Sequence, residues 1–161
     1  MKYTLSRLFA SLLYVGFIPG MPGTYGSIIT AFVFWILCSG TGPAGIPIHI
    51  GAVLLLTLIG IVASAEIARR TGVDDPSFIV IDEAAGQLLT FLFIPVTGMN
   101  IIFGVVLFRT FDIWKPFPIR KLERIGNGIG VMADDLLAGI YGNIVLLIFN
   151  VLLNKYIFNI L

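Results

Sequence analysis

The sequence predicts an all-α fold: a polytopic helical bundle in a membrane, with about five transmembrane or partly spanning helices behind a short N-terminal interfacial helix. Two observations predict it. Hydrophobic residues make up 58% of the chain and charged residues only 12%, against roughly a quarter charged in an ordinary soluble domain, and mean hydropathy is +1.01. The charges are also confined: Leu8–Ala65, Ala84–Phe108 and Leu136–Asn154 contain no Asp, Glu, Lys or Arg. A bilayer-spanning helix needs about 20 apolar residues, so the first run can hold two spans and a turn. A buried helix of a soluble core would have to explain all three runs at once, and would leave too little polar surface for a domain of this size.

Each element follows in order. Residues 3–17 read as a short amphipathic or interfacial helix that stops at the breaker-rich Ile18-Pro-Gly-Met-Pro-Gly23. Lys2 and Arg7 make a weak basic start, but no small-residue cleavage site follows, so a removable signal peptide is not expected. Thr24 can cap a helix over roughly 25–39. An uncharged loop holding His49 leads to a second span, about 48–70, ending at Arg69-Arg70 and Gly72. Asp75 as N-cap and Pro76 at the first helical position predict a helix over 76–95, about 30 Å long. The turn Pro95–Asn100 leads to a helix over about 99–114, a polar loop follows, and a last helix runs from about Val131 to the C-terminus. No polar linker divides the chain, so 1–161 reads as a single domain.

The main fork is whether 84–108 is a hairpin or one kinked span. A hairpin gathers 1–24, 66–83 and 109–135 on one side, and those stretches hold every charged residue except Lys155. The positive-inside rule then makes that side cytoplasmic. A single span scatters the charges, so the hairpin is favoured.

Four polar clusters carry candidate chemistry. In Ile81–Gln87 the carboxylates Asp82 and Glu83 fall nearly two turns inside the helix expected from Pro76. Acids there usually mark a function, and Ala84, Ala85 and Gly86 allow a neighbouring helix to approach closely. In Gly128–Gly139, Asp134 and Asp135 open the last helix; acids in a first turn are favoured by the helix dipole alone. Together the two pairs make a candidate oxygen-ligand site for Mg²⁺. Arg109 and Asp112 share a helix face, and Lys115 and Arg120 follow in a loop stiffened by Pro116 and Pro118. Such cations suit a phosphate clamp, although Arg120, Lys121 and Arg124 also suit a plain membrane anchor beside Trp114. The fourth cluster, Pro22–Ser27, offers backbone N–H groups and hydroxyls to an anion at a helix start.

Other solutions are missing. Cys38 lies mid-span, with Ala44 where a cysteine phosphatase would have Arg, and a lone histidine cannot make a two-histidine phosphotransfer site. A net charge of +1 gives no indication of nucleic-acid binding.

In order along the chain, these motifs resemble the phosphatidylglycerophosphatase A family. The matching stretches are Pro22–Ser27, Ile81–Gln87, Phe108–Arg120 and Gly128–Gly139. The resemblance implies a multi-pass, Mg²⁺-dependent enzyme of the bacterial inner membrane. It would hydrolyse phosphatidylglycerophosphate to phosphatidylglycerol and phosphate, in phospholipid biosynthesis, at the cytoplasmic side. One departure is that Gly20-Met21 stand where the family often has a lysine before Pro-Gly-Thr, so no phosphate contact of that lysine carries over.

The expected site has Asp82, Glu83, Asp134 and Asp135 as ligands of one or two Mg²⁺ ions. Lys115, Arg109, Arg120 and Thr24 would bind phosphate. Asp112, Asp82 and Asp135 would be catalytic, with Asp112 as general base or as the group that orients Lys115. Water and a carboxylate are both chemically competent nucleophiles. The partners are the lipid substrate and membrane lipids, and the pattern admits a homo-oligomer. A small transporter or ion-binding protein using intramembrane carboxylates is the competing reading. It expects acids spread through the membrane depth, and the apolar runs contain none.

Overall fold

The computed structural model describes residues 2–158, and among them are seven α-helices and no strand. They are α1 (Tyr3–Ala10), α2 (Pro22–Cys38), α3 (Ile46–Thr71), α4 (Ile81–Thr90), α5 (Gly98–Trp114), α6 (Ile119–Leu122) and α7 (Asn127–Phe158). The last helix begins earlier than expected, and its anticipated extension through 159–161 lies outside the described residues. Two helices, α3 and α7, are long and apolar enough to cross a membrane. Only 22% of each apolar window is buried, whereas a core helix of a soluble protein is mostly buried. Their outward faces, with Leu54, Leu55 and Leu58 on α3 and Ile144, Ile148 and Val151 on α7, are apolar and exposed, as lipid contact requires.

Several boundaries differ from expectation. The first helix ends at Ala10 instead of running to 17. Ser11 Oγ accepts the Tyr14 N–H at 3.1 Å, an alternative to continuing the helix, and Gly16 then passes so close to the Phe78 carbonyl that no side chain fits between. Helix α2 starts at Pro22, with Met21 rather than Thr24 as N-cap; proline at a first helical position loses no hydrogen bond. His49 belongs to the start of α3 and not to a loop.

The largest correction concerns the helix expected over 76–95. Asp75 and Pro76 do not start it. Residues 76–80 form a turn (Ile79 N–H donates to the Pro76 carbonyl), and Val80 N–H donates to the Ala10 carbonyl at 2.8 Å. Helix α4 therefore covers only Ile81–Thr90, about 15 Å of rise, half a hydrocarbon thickness.

The chain reverses after this half-helix. Phe91 packs on Gly104 and Glu83 lies beside Arg109, so α4 and α5 are antiparallel, as the hairpin reading expects. Charged stretches meet at one end of the bundle: Arg70 lies over the Tyr3 ring, Gly23 touches Glu83, and Lys115 bonds Asp134.

A helix that stops inside an apolar bundle leaves carbonyls without partners. Asn143 on α7 supplies them: its Nδ2 donates to the Thr90 and Leu92 carbonyls at 3.0 and 2.7 Å. His49 Nε2 and Asn100 Nδ2 add second hydrogen bonds, both at 2.8 Å, to the Leu88 and Pro95 carbonyls, which already accept the Phe91 and Thr97 N–H groups. Asn100 and Asn150 also exchange amide hydrogen bonds at 3.0 and 3.1 Å. Replacing Asn143 by Ala strands two carbonyls, so Asn143→Ala is expected to cost about 1–3 kcal/mol. Thermal unfolding in detergent checks this; an unchanged midpoint would mean the end of α4 is satisfied by other groups.

Candidate active site

Two pairs of acids meet because α4 and α7 touch through glycine. A Cβ on Gly86 would strike the Asp135 carbonyl and one on Gly139 would strike the Gly86 carbonyl. Small residues permit that backbone approach, and Thr90 Oγ1 donates across it to Gly139 O at 3.3 Å. The depths of the two pairs are exchanged relative to expectation. Asp82 and Glu83 occupy the first turn of α4, while Asp134 and Asp135 lie about two turns inside α7, which starts at Asn127.

Oxygens of Asp82, Glu83 and Asp135 all lie within 4.8 Å of one another. Asp82 and Asp135 are 6% and 4% exposed. Asp82 Oδ1, Glu83 Oε2 and Asp134 Oδ1 are buried with no hydrogen-bond partner. Carboxylates buried this closely repel one another and have lost their water. An all-oxygen set of this kind fits a hard divalent cation such as Mg²⁺.

Three of the four acids expected as ligands thus converge, and the fourth is engaged elsewhere. Asp134 Oδ2 lies 2.8 Å from Lys115 Nζ, and the same ammonium is 3.1 Å from Glu123. Burial alone would lower the Lys115 pKa, but the hydrogen bonds and charges of Asp134 and Glu123 outweigh it and hold the ammonium above its ordinary value. Lys115 caps α5 in a left-handed conformation, which turns its side chain back toward α7.

Arg109 Nη1 forms an ion pair with Asp112 at 2.6 Å and lies 3.9 Å from Glu83. Asp112 therefore holds Arg109; the expectation that it orients Lys115 is not met, because Asp134 and Glu123 do that. Helix α2 contributes Gly23, whose missing side chain leaves room for both Glu83 and Arg109. Thr24 follows within the first turn of α2, half-buried, and makes no side-chain hydrogen bond among the described residues. Arg120 is exposed and donates to the Trp114 carbonyl at 3.4 Å, so it stands beside the acids, not among them.

Sequence reasoning missed three contributors. Glu123, in the polar loop after the fifth helix, pairs with Lys115, and Asp75, expected as an N-cap, lies close enough to feel Asp82, Asp134 and Lys115. Gln87, which closes the Ile81–Gln87 stretch, is fully buried with neither amide atom bonded. Helical spacing places it on the Glu83 face, and that was the available signal.

A model of the family described as "Phosphatidylglycerophosphatase A" matches residues 8–150, a span that includes every residue of the cluster. The chain belongs to the phosphatidylglycerophosphatase A family. It is 36% identical over 137 residues to the "Phosphatidylglycerophosphatase A" of Escherichia coli (strain K12), covering 80% of this chain and 76% of the relative. The protein of that name from Haemophilus influenzae is 39% identical over 140 residues, with coverages of 83% and 84%. A Bacteroides thetaiotaomicron protein named "Putative phosphatidylinositol-3-phosphatase" is 38% identical over 136 residues, covering 81% of this chain and 84% of the relative. No solved structure matches the chain. In this phosphatidylglycerophosphatase A family member the acids and cations lie where the bundle's apolar outer face gives way to its charged end.

Proposed function

We propose that this protein hydrolyses the terminal phosphomonoester of phosphatidylglycerophosphate, giving phosphatidylglycerol and inorganic phosphate, as an Mg²⁺-dependent step of phospholipid biosynthesis. The observation that carries the reading is the buried oxygen trio of Asp82, Glu83 and Asp135 with Lys115 and Arg109 at its edge. The trio would hold Mg²⁺, with Asp134 as a further donor. Bound Mg²⁺ supplies Lewis-acid polarisation of the phosphoryl oxygens.

The chain's own residues account for the rest. Lys115 and Arg109 balance the charge that spreads over the phosphoryl oxygens as the ester bond breaks. Asp134 and Glu123 fix the Lys115 ammonium, and Asp112 fixes the Arg109 guanidinium while serving as proton acceptor for the attacking water. The P–O bond to glycerol breaks, the alcohol oxygen takes a proton, and water supplies the fourth phosphate oxygen. Thr24 and the first N–H groups of α2 add donors near Glu83.

The charged end is assigned to the cytoplasm by the positive-inside rule, in a multi-pass topology in the bacterial inner membrane. The half-helix α4 would reach only part way across.

A second substrate follows from the relative named for a phosphatidylinositol phosphate, which is also a lipid bearing a phosphomonoester. The test is phosphate release by purified protein from each lipid in detergent micelles, with Mg²⁺ and after chelation, beside Lys115→Ala. Release from phosphatidylglycerophosphate that is lost on chelation, restored by Mg²⁺ and lowered on the order of 10²-fold by Lys115→Ala is expected. Release that survives chelation and Lys115→Ala overturns the reading, and a preference for the inositol lipid reassigns the substrate.

A further inference from the structure

Beside the acid cluster, a cleft of about 470 Å³ is lined by Lys115, Arg120, Lys121 and Arg124, with Trp114 and Phe117 on its walls. Lys115 is neutralised by Asp134 and Glu123. Arg120, Lys121 and Arg124 pair with no carboxylate among the described residues. Three uncompensated cations thus share one small cleft, next to two aromatic rings that are 66% and 75% exposed, as rings at a membrane interface are.

A diffuse membrane anchor would account for the charge alone. The framework under it is more than an anchor needs. Ile119, at the start of α6, is fully buried, Tyr141 Oη donates to the Phe117 carbonyl at 3.2 Å, Arg120 is tied to Trp114 O, and the Lys121 ammonium lies 4.9 Å from the Phe117 ring centre. The cleft is also continuous with the acid site, because Lys115 lines it while reaching Asp134.

We propose that Arg120, Lys121 and Arg124 form a seat for the phosphodiester of the lipid substrate, one glycerol away from the monoester held by Lys115, Arg109 and the acid cluster. This rests on the reaction proposed above. Its chemistry is that of an anion on guanidinium and ammonium groups, and it makes the loop after α5 a determinant of which phosphorylated lipids bind well.

The test uses full-length protein carrying Trp35→Phe, so that Trp114 alone reports by fluorescence. Phosphatidylglycerol, which has the diester and no monoester, is titrated in micelles of a non-ionic maltoside detergent, which carries no phosphate. The triple variant Arg120→Gln, Lys121→Gln, Arg124→Gln is expected to bind it about tenfold more weakly. Each single variant, the fallback if the triple does not fold, is expected to weaken binding about two- to threefold. Removing the same charge elsewhere at that end, with Lys2→Gln, Arg69→Gln and Arg70→Gln, is expected to change it less than about threefold. Equal weakening by both triple variants means a diffuse surface field and overturns the seat, as does no fluorescence response or no weakening by either.

A second arm separates the substrate's own diester from that of a neighbouring lipid. Phosphatidylglycerol added to the assay is expected to raise KM for phosphatidylglycerophosphate; activation without that rise gives the seat to a separate lipid and overturns the placement. The titration needs no turnover, so a protein that binds phosphatidylglycerol here yet releases no phosphate would sink the proposed reaction and not the seat.

Discussion

Asp82→Asn and Asp135→Asn are each expected to lower phosphate release by on the order of 10²–10³-fold or more, the scale of removing one preorganised charge from a phosphoryl-transfer site. Both substitutions keep the side-chain shape and remove a charge that is almost wholly buried, so the helices should still dock. The effect should come from weakened cation binding: each variant removes one of the three carboxylates whose oxygens lie within 4.8 Å of one another. Asp134→Asn should behave differently. Its strongest partner is Lys115 at 2.8 Å, so the loss should fall mainly on phosphate binding, with a smaller shift in Mg²⁺ requirement. Rates measured across a Mg²⁺ titration separate the two outcomes. A half-saturating Mg²⁺ concentration that is unchanged in Asp82→Asn would remove the trio from metal binding, and equal shifts in all three variants would make Asp134 a ligand on a par with the trio.

What could be read in advance follows from the range of each interaction. Membrane character and the gathering of charge are properties of long stretches, and Leu8–Ala65 announces them without any knowledge of packing. The hairpin was legible for the same reason, because only a reversal near Pro95 puts Arg109 on the side of Glu83. Residue types at the site were also legible, since carboxylates beside apolar runs carry a cost that must be offset. Helix boundaries were not. Asp75-Pro76 has the local chemistry of a helix start, but a long-range bond from Val80 to Ala10 keeps the segment out of α4, and no window of the sequence contains both partners. Partner choice failed similarly. Spacing on α5 suggested Asp112 for Arg109 or Lys115 alike, and only the return of the chain through α6 brings Glu123 and Asp134 to Lys115. His49 looked like loop polarity because the carbonyl it serves belongs to a half-helix that local pattern did not reveal.

The other large effect is expected from a residue with no functional group. Gly139→Ala should abolish activity in protein that still inserts and remains largely helical. A methyl on Gly139 meets the Gly86 carbonyl, which is backbone and cannot rotate away, so α7 must move off α4 or α4 must tilt. Either movement separates Asp135 from Asp82 and Glu83, and a misplacement of about 1 Å can cost 10²-fold in rate. It also strains the hydrogen bonds of Thr90 and Asn143 that cross the same seam. The stability cost should be about 1–3 kcal/mol, typical of overpacking. Gly51 supplies the comparison. It lies on an exposed part of α3 with no atom within 4 Å of an added Cβ, so Gly51→Ala should be neutral or stabilise by up to about 1 kcal/mol through helix propensity. Melting midpoints and phosphate-release rates of the two variants, measured in one detergent, decide the matter. If Gly139→Ala melts like wild type and keeps its rate, the α4–α7 seam does not set the spacing of the carboxylates.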